Sequence, residues 1–502
     1  MKAAPTLPAR VKLAFGIGAS AEATIALGFN TWCILFYNQV LGLSGTLSGA
    51  AVTISLVLDA VSEPIVGALS DRTRSRLGRR HPFLYGAPIP LAVSFALLYM
   101  PPRGLTELGL FAWLCVFSTL HRQALTLFQV PHLALGAELA TDYHQRSVVM
   151  SYAAIFGTLG ASATFFFGWT HFSHSAGGTT ARENYGSLAL GLAVAVAAVG
   201  LASAYFTRDR IAVLSSPHEG SEPFSFARLL RDIRSCLQSR NYRATLAGLM
   251  CLSATVGVRE TVHSYVTLFF WELPANKLRV FGLATPPAFL VAFLITARLH
   301  RRFDKRATML WSLVVMALAS VVPVLLRLCG WFPPNGSSAL TAALWIFTFV
   351  YFGAGAIQMI TVLSILGDIA DEHELEAGMR SEGTLFAART LFSKMSSGLG
   401  HLLAGVALDV IQFPTKAQPG QVAHKLTTEL AVFDGPIASL PVLGALWFYR
   451  GYALDRQRHA EIARTLLRRR AEQPPTSAPA SHAVPIASAV GQTGPAGGEG
   501  FS

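Results

Sequence analysis

Two carboxylates four residues apart, Asp59 and Glu63, stand in an apolar stretch and are followed directly by Pro64. On a helix that spacing puts both on one face. Away from bulk water they repel each other and need a counter-charge. The pair fits a site that holds Na⁺ or H⁺; the competing reading is a structural pair with one acid bonded to an arginine of another helix. A second apolar stretch carries Arg122, Thr126, Gln129 and, after Pro131, His132. Thr126 and Gln129 share a face and could complete an oxygen-lined cage around the cation, or could serve as ordinary interhelical hydrogen bonds. Arg122 could neutralise one acid or meet an anionic substrate.

Other ionisable residues interrupt apolar stretches in the same way. Glu22 stands with Ser20, Thr24 and Asn30. Arg259 and His263 share one helix face, and Glu260 and Ser264 share another. Arg389 and Lys394 interrupt a late stretch. Ionisable groups inside a membrane default to function, so Glu22, Arg122, Arg259, His263 and Lys394 are candidate substrate contacts, with fixed salt bridges as the alternative. An acidic cluster with Asp368, Asp371 and Glu374 is expected on the same side of the membrane as a basic segment with Asp71, Arg72 and Arg79. These groups could pair when one face of the protein closes and part when it opens, although exposed ion pairs contribute only about 0–1 kcal/mol each.

The elements that must position these residues follow from composition. The chain has 502 residues, 52% hydrophobic and 14% charged, with a mean hydropathy of +0.45. So few charges cannot cover so much apolar surface in water, which excludes a soluble enzyme and a disordered chain. A spanning helix needs about 20 mostly apolar residues. Twelve such stretches can be drawn, at 13–39, 46–70, 83–101, 105–137, 147–172, 186–206, 241–270, 278–297, 307–329, 338–366, 382–412 and 430–450. With twelve spans, Lys and Arg concentrate on the side that carries both termini, which places the termini in the cytoplasm. The net charge of +12 then reads as orientation and not as nucleic-acid binding.

The polar interval 207–240 divides the spans into an N-terminal six-helix bundle (1–206) and a C-terminal one (241–450), followed by a cytoplasmic tail (451–502). Basic segments containing Asp71 and Asp304 occupy equivalent places in the two blocks. Two repeats of six helices imply an all-α fold with a site between them near the membrane midplane. Beyond about Glu472 the tail is rich in Pro, Ala, Ser and Gly and is expected to be disordered. The five cysteines form no CxxC pair and read as small hydrophobes. No nucleotide-binding loop, HExxH motif or nucleophile elbow is present, so neither ATP use nor enzymatic chemistry is expected.

Three blocks resemble the glycoside–pentoside–hexuronide:cation symporters of the major facilitator superfamily. The first runs from Asp59-Ala60-Val61-Ser62-Glu63-Pro64 through Gly67 to Asp71-Arg72-Thr73-Arg74-Ser75-Arg76-Leu77-Gly78-Arg79 and Pro82. The second runs from Ile369-Ala370-Asp371-Glu372-His373-Glu374 through Gly378, Arg380 and Glu382-Gly383 to Lys394 and Gly398. The third holds Val130-Pro131, Leu135 to Leu139, Asp142-Tyr143-His144 and Arg146. The resemblance implies that Asp59 and Glu63 are the paired acids of a cation site, with Glu63 replacing an Asp and Ser62 replacing an Asn. It implies that Thr126 lies near the cation, that Gln129 replaces a third Asp, and that Lys394 lies near both cation and substrate. Two sugar-contacting positions of the family, an Asp and an Arg, are Ala23 and Ala154 here.

The expected function is a cation-coupled (Na⁺ or H⁺) secondary transporter working by alternating access, with a sugar or glycoside as substrate. A lysolipid or other amphipathic substrate is the alternative within the class, and a non-transporting membrane sensor the alternative outside it. The coupling ion and a small-molecule substrate are the expected partners. No cofactor, nucleic acid or oligomer is required, and the expected location is a bacterial inner membrane.

Overall fold

The computed structural model describes residues 7–140, 143–211, 225–377 and 382–472, and these contain helices and turns but no strand. The motif residues Asp142, Gly378 and Arg380, part of the central interval and the tail beyond Glu472 lie outside the described residues. The principal helices are α1 (Ala9–Leu41), α2 (Gly45–Arg72), α3 (His81–Leu98), α4 (Glu107–Leu139), α5 (Tyr143–His174) and α6 (Arg182–Thr207) in the first half. The second half has α7 (Arg240–Tyr265), α8 (285–303), α9 (305–328), α10 (Ser338–Ala377), α11 (Glu382–Val410) and α12 (His424–Tyr449). α8 and α9 run on from each other and are separated by Asp304, at φ 67° and ψ 161°. The twelve-helix architecture read from hydropathy is the architecture found.

Eight described stretches are long and apolar enough to cross a membrane, and one of them, Ala275–Leu328, holds both α8 and α9. α4, α7 and α11 fall short, and they carry Arg122, Arg259 with Glu260, and Arg389 with Lys394. The three helices least suited to lipid thus hold part of the charge that lies between the halves. Leu58, Val93, Phe167, Leu190, Phe293 and Trp447 are exposed on the outer faces, where a membrane protein meets lipid rather than water.

One element differs from expectation. The acidic segment after α10 is helical and not a loop, because α10 continues to Ala377. Its carboxylates are held by partners: Lys305 Nζ lies 2.6 Å from Asp368 Oδ2, and Asn241 Nδ2 donates to Glu372 Oε1 at 2.8 Å. The tail also forms a helix, Arg456–Glu472, which packs on α10 and buries Ile462 and Leu466.

Among the described residues, the hydrophobic core that the two halves share lies toward one end. At the end remote from the termini, one hydrophobic core draws on both halves, from Phe29, Trp32 and Tyr37 to Tyr265, Phe269 and Leu408. At the terminus end, Val11, Phe15, Phe128 and Leu135 form a core of the first half alone. There, Tyr242, Met309, Ile365 and Tyr449 belong to a separate core of the second half. The remote seal is close. A Cβ on Gly405 would collide with the Gly45 carbonyl oxygen, and one on Gly49 would come 2.6 Å from that of His401. α2 and α11 therefore touch backbone to backbone, which small residues permit. Asp409 accepts from the amides of Gly45 and Thr46 at 2.9 and 2.7 Å and so caps α2 from the opposite half. Tyr265 donates to Asn38 Oδ1 at 3.1 Å, joining α7 to α1.

Candidate functional site

α2 enters from the remote end with Ser44 as its N-cap. It presents Asp59 and Glu63 one turn apart toward α4 and α11. Thr126 of α4 donates its hydroxyl proton to Asp59 Oδ1. Lys394 of α11 donates to Asp59 Oδ2 at 2.8 Å, and its Nζ lies 2.9 Å from Glu63 Oε2. The counter-charge that the acid pair requires is thus an ammonium belonging to the other half of the molecule. Asp59 is buried, whereas the Lys394 and Glu63 side chains retain 22% and 26% of their exposure, so solvent reaches the outer edge of the site.

Of the expected cation ligands, Asp59, Glu63 and Thr126 come together. The Ser62 hydroxyl instead donates to the Asp59 backbone carbonyl at 3.0 Å. Gln129, half-buried, makes no hydrogen bond to either acid among the described residues. Lys394, expected near both cation and substrate, is the direct partner of both acids. Arg122 lies half-buried with its guanidinium 4.6 Å from the Phe29 ring centre. Its charge is felt by both Asp59 and Glu260, and Glu260 borders a cavity.

Glu22 has a partner of its own. It does not line the cavity but lies 2.6 Å from His132 Nδ1, while His132 Nε2 donates to the Phe15 carbonyl at 3.0 Å. The polar residue after Pro131 takes up the isolated acid, making a local tie between α1 and α4.

A cavity of about 390 Å³ lies between α1, α5 and the second half. α7 supplies Arg259, Glu260 and His263, and α12 supplies Asp434. α12 opens into a wider turn at Phe433–Ile437, which contains Asp434 and Pro436. Arg259 donates to the Asp434 carbonyl at 3.1 Å, with its Nη1 3.7 Å from Asp434 Oδ2. His263 Nδ1 lies 3.2 Å from the same carboxylate oxygen. The Arg259 guanidinium also sits 4.8 Å from the Tyr351 ring centre. Glu260 accepts from Asn30 of α1 at 3.3 Å, and His401 Nε2 lies 3.6 Å from it. Sequence reasoning missed Asp434 and His401. Both lie inside expected spans, and the rule that marks Glu22 marks Asp434 as well.

The following ion pairs at the terminus end each join groups of one half. Arg80, buried, pairs with Asp71 and with Glu138, and Arg79 pairs with Glu138 at 3.0 Å. In the second half, His459 lies 3.3 Å from Asp368 and 3.4 Å from Asp371. Arg72 and Glu374 sit on the same end, at the close of α2 and of α10. Arg79 and Asp368, from the basic and acidic segments of the two halves, thus hold partners within their own halves, in keeping with the divided cores.

Residues 14–456 match a family model described as MFS/sugar transport protein. A putative glycoside/cation symporter of Escherichia coli, YagG, is 26% identical over 94% of this chain and 98% of its own. An isoprimeverose transporter of Lactiplantibacillus pentosus is 25% identical over 76% and 75%. Among solved structures, a bacterial homologue of the human lysosomal transporter Spinster, in an inward-facing and unoccupied conformation, superposes with a TM-score of 0.62 at 12% identity. That match covers 89% of this chain and 98% of the other. The nucleoside transporter NupG gives a TM-score of 0.56 at 16% identity over 88% and 99%.

Proposed function

The chain belongs to the family of MFS/sugar transport proteins, a membrane transporter and not an enzyme, and from that premise we propose cation-coupled symport of a sugar or glycoside by alternating access. The observation that carries this reading is the bridge from Lys394 to Asp59 and Glu63, which lets an ion in the first half sense the position of the second half.

In this reading Asp59 and Glu63, with Thr126, hold Na⁺ or H⁺ when Lys394 withdraws. Ser62 and Gln129 complete the cage only after their side chains reorient. Arg122 links the ion site to Glu260 and hence to the substrate cavity. Substrate and ion then favour the same arrangement, and each must tighten the other by the same factor. The termini lie in the cytoplasm of a bacterial cell, the protein sits in the inner membrane, and the conformer with divided cores at the terminus end faces inward. Asp71, Arg72, Arg79, Asp368, Asp371 and Glu374 exchange partners across the halves when that face closes. A single chain suffices, and no cofactor takes part.

The test is uptake into proteoliposomes under an imposed Na⁺ or H⁺ gradient. Asp59→Asn is expected to abolish the gradient's effect. Undiminished gradient-driven uptake by the variant would refute the assignment of the ion site.

A further inference from the structure

The junction of α8 and α9 carries Arg298, Arg301, Arg302, Lys305 and Arg306 within the interval 298–306. Lys305 is taken up by Asp368. None of the four arginines has an acidic partner among the described residues. Arg298 donates to the Leu294 carbonyl at 2.9 Å, Arg306 donates to the Arg450 carbonyl, and the Arg302 guanidinium stands 5.4 Å from the Phe303 ring centre. All four residues are exposed. Asp304, the acid of this segment, accepts from the Lys305 amide at 2.7 Å. The first half differs: in its equivalent segment, Arg79 and Arg80 both pair with Glu138.

Like charges three or four residues apart on a helix repel, and Arg298 stands so to both Arg301 and Arg302. The chain adds to the cluster instead of dispersing it. The segment that follows α12 crosses the junction, where Arg456 donates to the carbonyls of His300 and Arg301 at 2.7 and 2.8 Å. Such a cluster calls for an anion from outside the chain, and its place selects which. α8 rises about 28 Å at 1.5 Å per residue, close to the roughly 30 Å of a bilayer's hydrocarbon, so its last turn lies at headgroup level. Leu294 and Leu290 stand one and two turns before Arg298 on the same face; both are exposed, and neither lines the cavity between the halves. Phe293 and Phe303 are exposed as well. A small anion in water would use the arginines alone. A phospholipid uses the whole face, with its acyl chains along the apolar side chains and its phosphate in the guanidinium forks, which hold phosphate by paired hydrogen bonds.

We propose that Arg298, Arg301, Arg302 and Arg306, with Arg456, form a site for the phosphodiester headgroup of an anionic phospholipid whose acyl chains lie against Leu290, Phe293 and Leu294. The bound lipid neutralises the junction and so holds α8, α9 and the segment after α12 together. The inference depends neither on the substrate carried nor on the coupling ion.

Binding is read from the melting temperature of the purified full chain in a neutral detergent, titrated with dioleoylphosphatidylglycerol, dioleoylphosphatidylcholine or inorganic phosphate. Each protein is its own lipid-free reference, so a change in basal stability does not enter the comparison. Phosphatidylglycerol is expected to raise the melting temperature and to bind more tightly than phosphatidylcholine, and inorganic phosphate to leave the melting temperature unchanged. Each arginine beside an anionic lipid contributes a factor of about five, so Arg298→Gln and Arg302→Gln together are expected to weaken phosphatidylglycerol about twenty-five-fold. Arg74→Gln and Arg76→Gln together remove the same charge from the exposed basic segment of the first half and are expected to leave the affinity within about twofold. Equal binding of the two lipids, unchanged affinity in the Arg298 and Arg302 double variant, equal loss in the two double variants, or equal stabilisation by inorganic phosphate would overturn the proposal.

Discussion

Replacing Lys394 by methionine tests the electrostatics of the ion site most directly. The substitution keeps the length of the side chain and removes its charge. One Asp59 oxygen and one Glu63 oxygen lie 2.8 and 2.9 Å from the same Nζ, so they are at most about 5.7 Å apart. At an effective dielectric constant of about 20, two unit charges at that distance repel by about 3 kcal/mol. The wild-type ammonium offsets this repulsion; in the variant it is relieved when an added cation binds. Each 1.36 kcal/mol is a factor of ten, so the full effect is about a hundredfold tighter cation binding. Arg122 remains in place and cancels part of the repulsion, which leaves tenfold as the smallest expected gain. Calorimetric titration of the purified variant with Na⁺, repeated across pH to separate Na⁺ from H⁺, reads the change. Gradient-driven uptake should fall at the same time, because the ion-free carrier no longer neutralises its acids. Unchanged or weaker cation affinity would show that Lys394 does not compete with the ion.

Three further outcomes are expected. Gly49→Leu drives a side chain into the His401 carbonyl, and overpacking of this kind costs about 1–3 kcal/mol; thiol labelling of a cysteine placed at the remote end should rise about tenfold, and unchanged labelling would refute the seal. Arg80→Met leaves Glu138 and Asp71 without their common partner and should destabilise the protein by about 2–4 kcal/mol, seen as a lower unfolding temperature in detergent. Ending the chain after Asp455 removes the buried Ile462 and Leu466 and should cost about 2–4 kcal/mol of apolar burial; an unaltered melting temperature would show that the tail helix contributes nothing to the second half.

The fold is legible because a membrane imposes one rule, that every spanning backbone satisfies itself, and twelve apolar stretches meet it. The ion site is legible for a related reason: a charge amid apolar residues is conspicuous, and Asp59, Glu63 and Lys394 each stand out alone. Their meeting is not legible from spacing, because it joins positions 335 residues apart. Glu22 reads as an isolated acid because its partner, His132, lies 110 residues away and sequence distance hides the pairing. The acidic end of α10 reads as a loop because hydropathy marks where lipid ends and not where a helix ends.

The bridge from Lys394 has a consequence for how the ion site is studied. A side chain tethered to the molecule has an effective concentration set by its reach, in the millimolar range for short flexible links, and dialysis cannot lower it. A preparation stripped of salt is therefore not stripped of its resident competitor. Apparent ion affinity then reports how far α11 can carry its ammonium away, and anything that holds α11 back will look, in a titration, like a stronger ion.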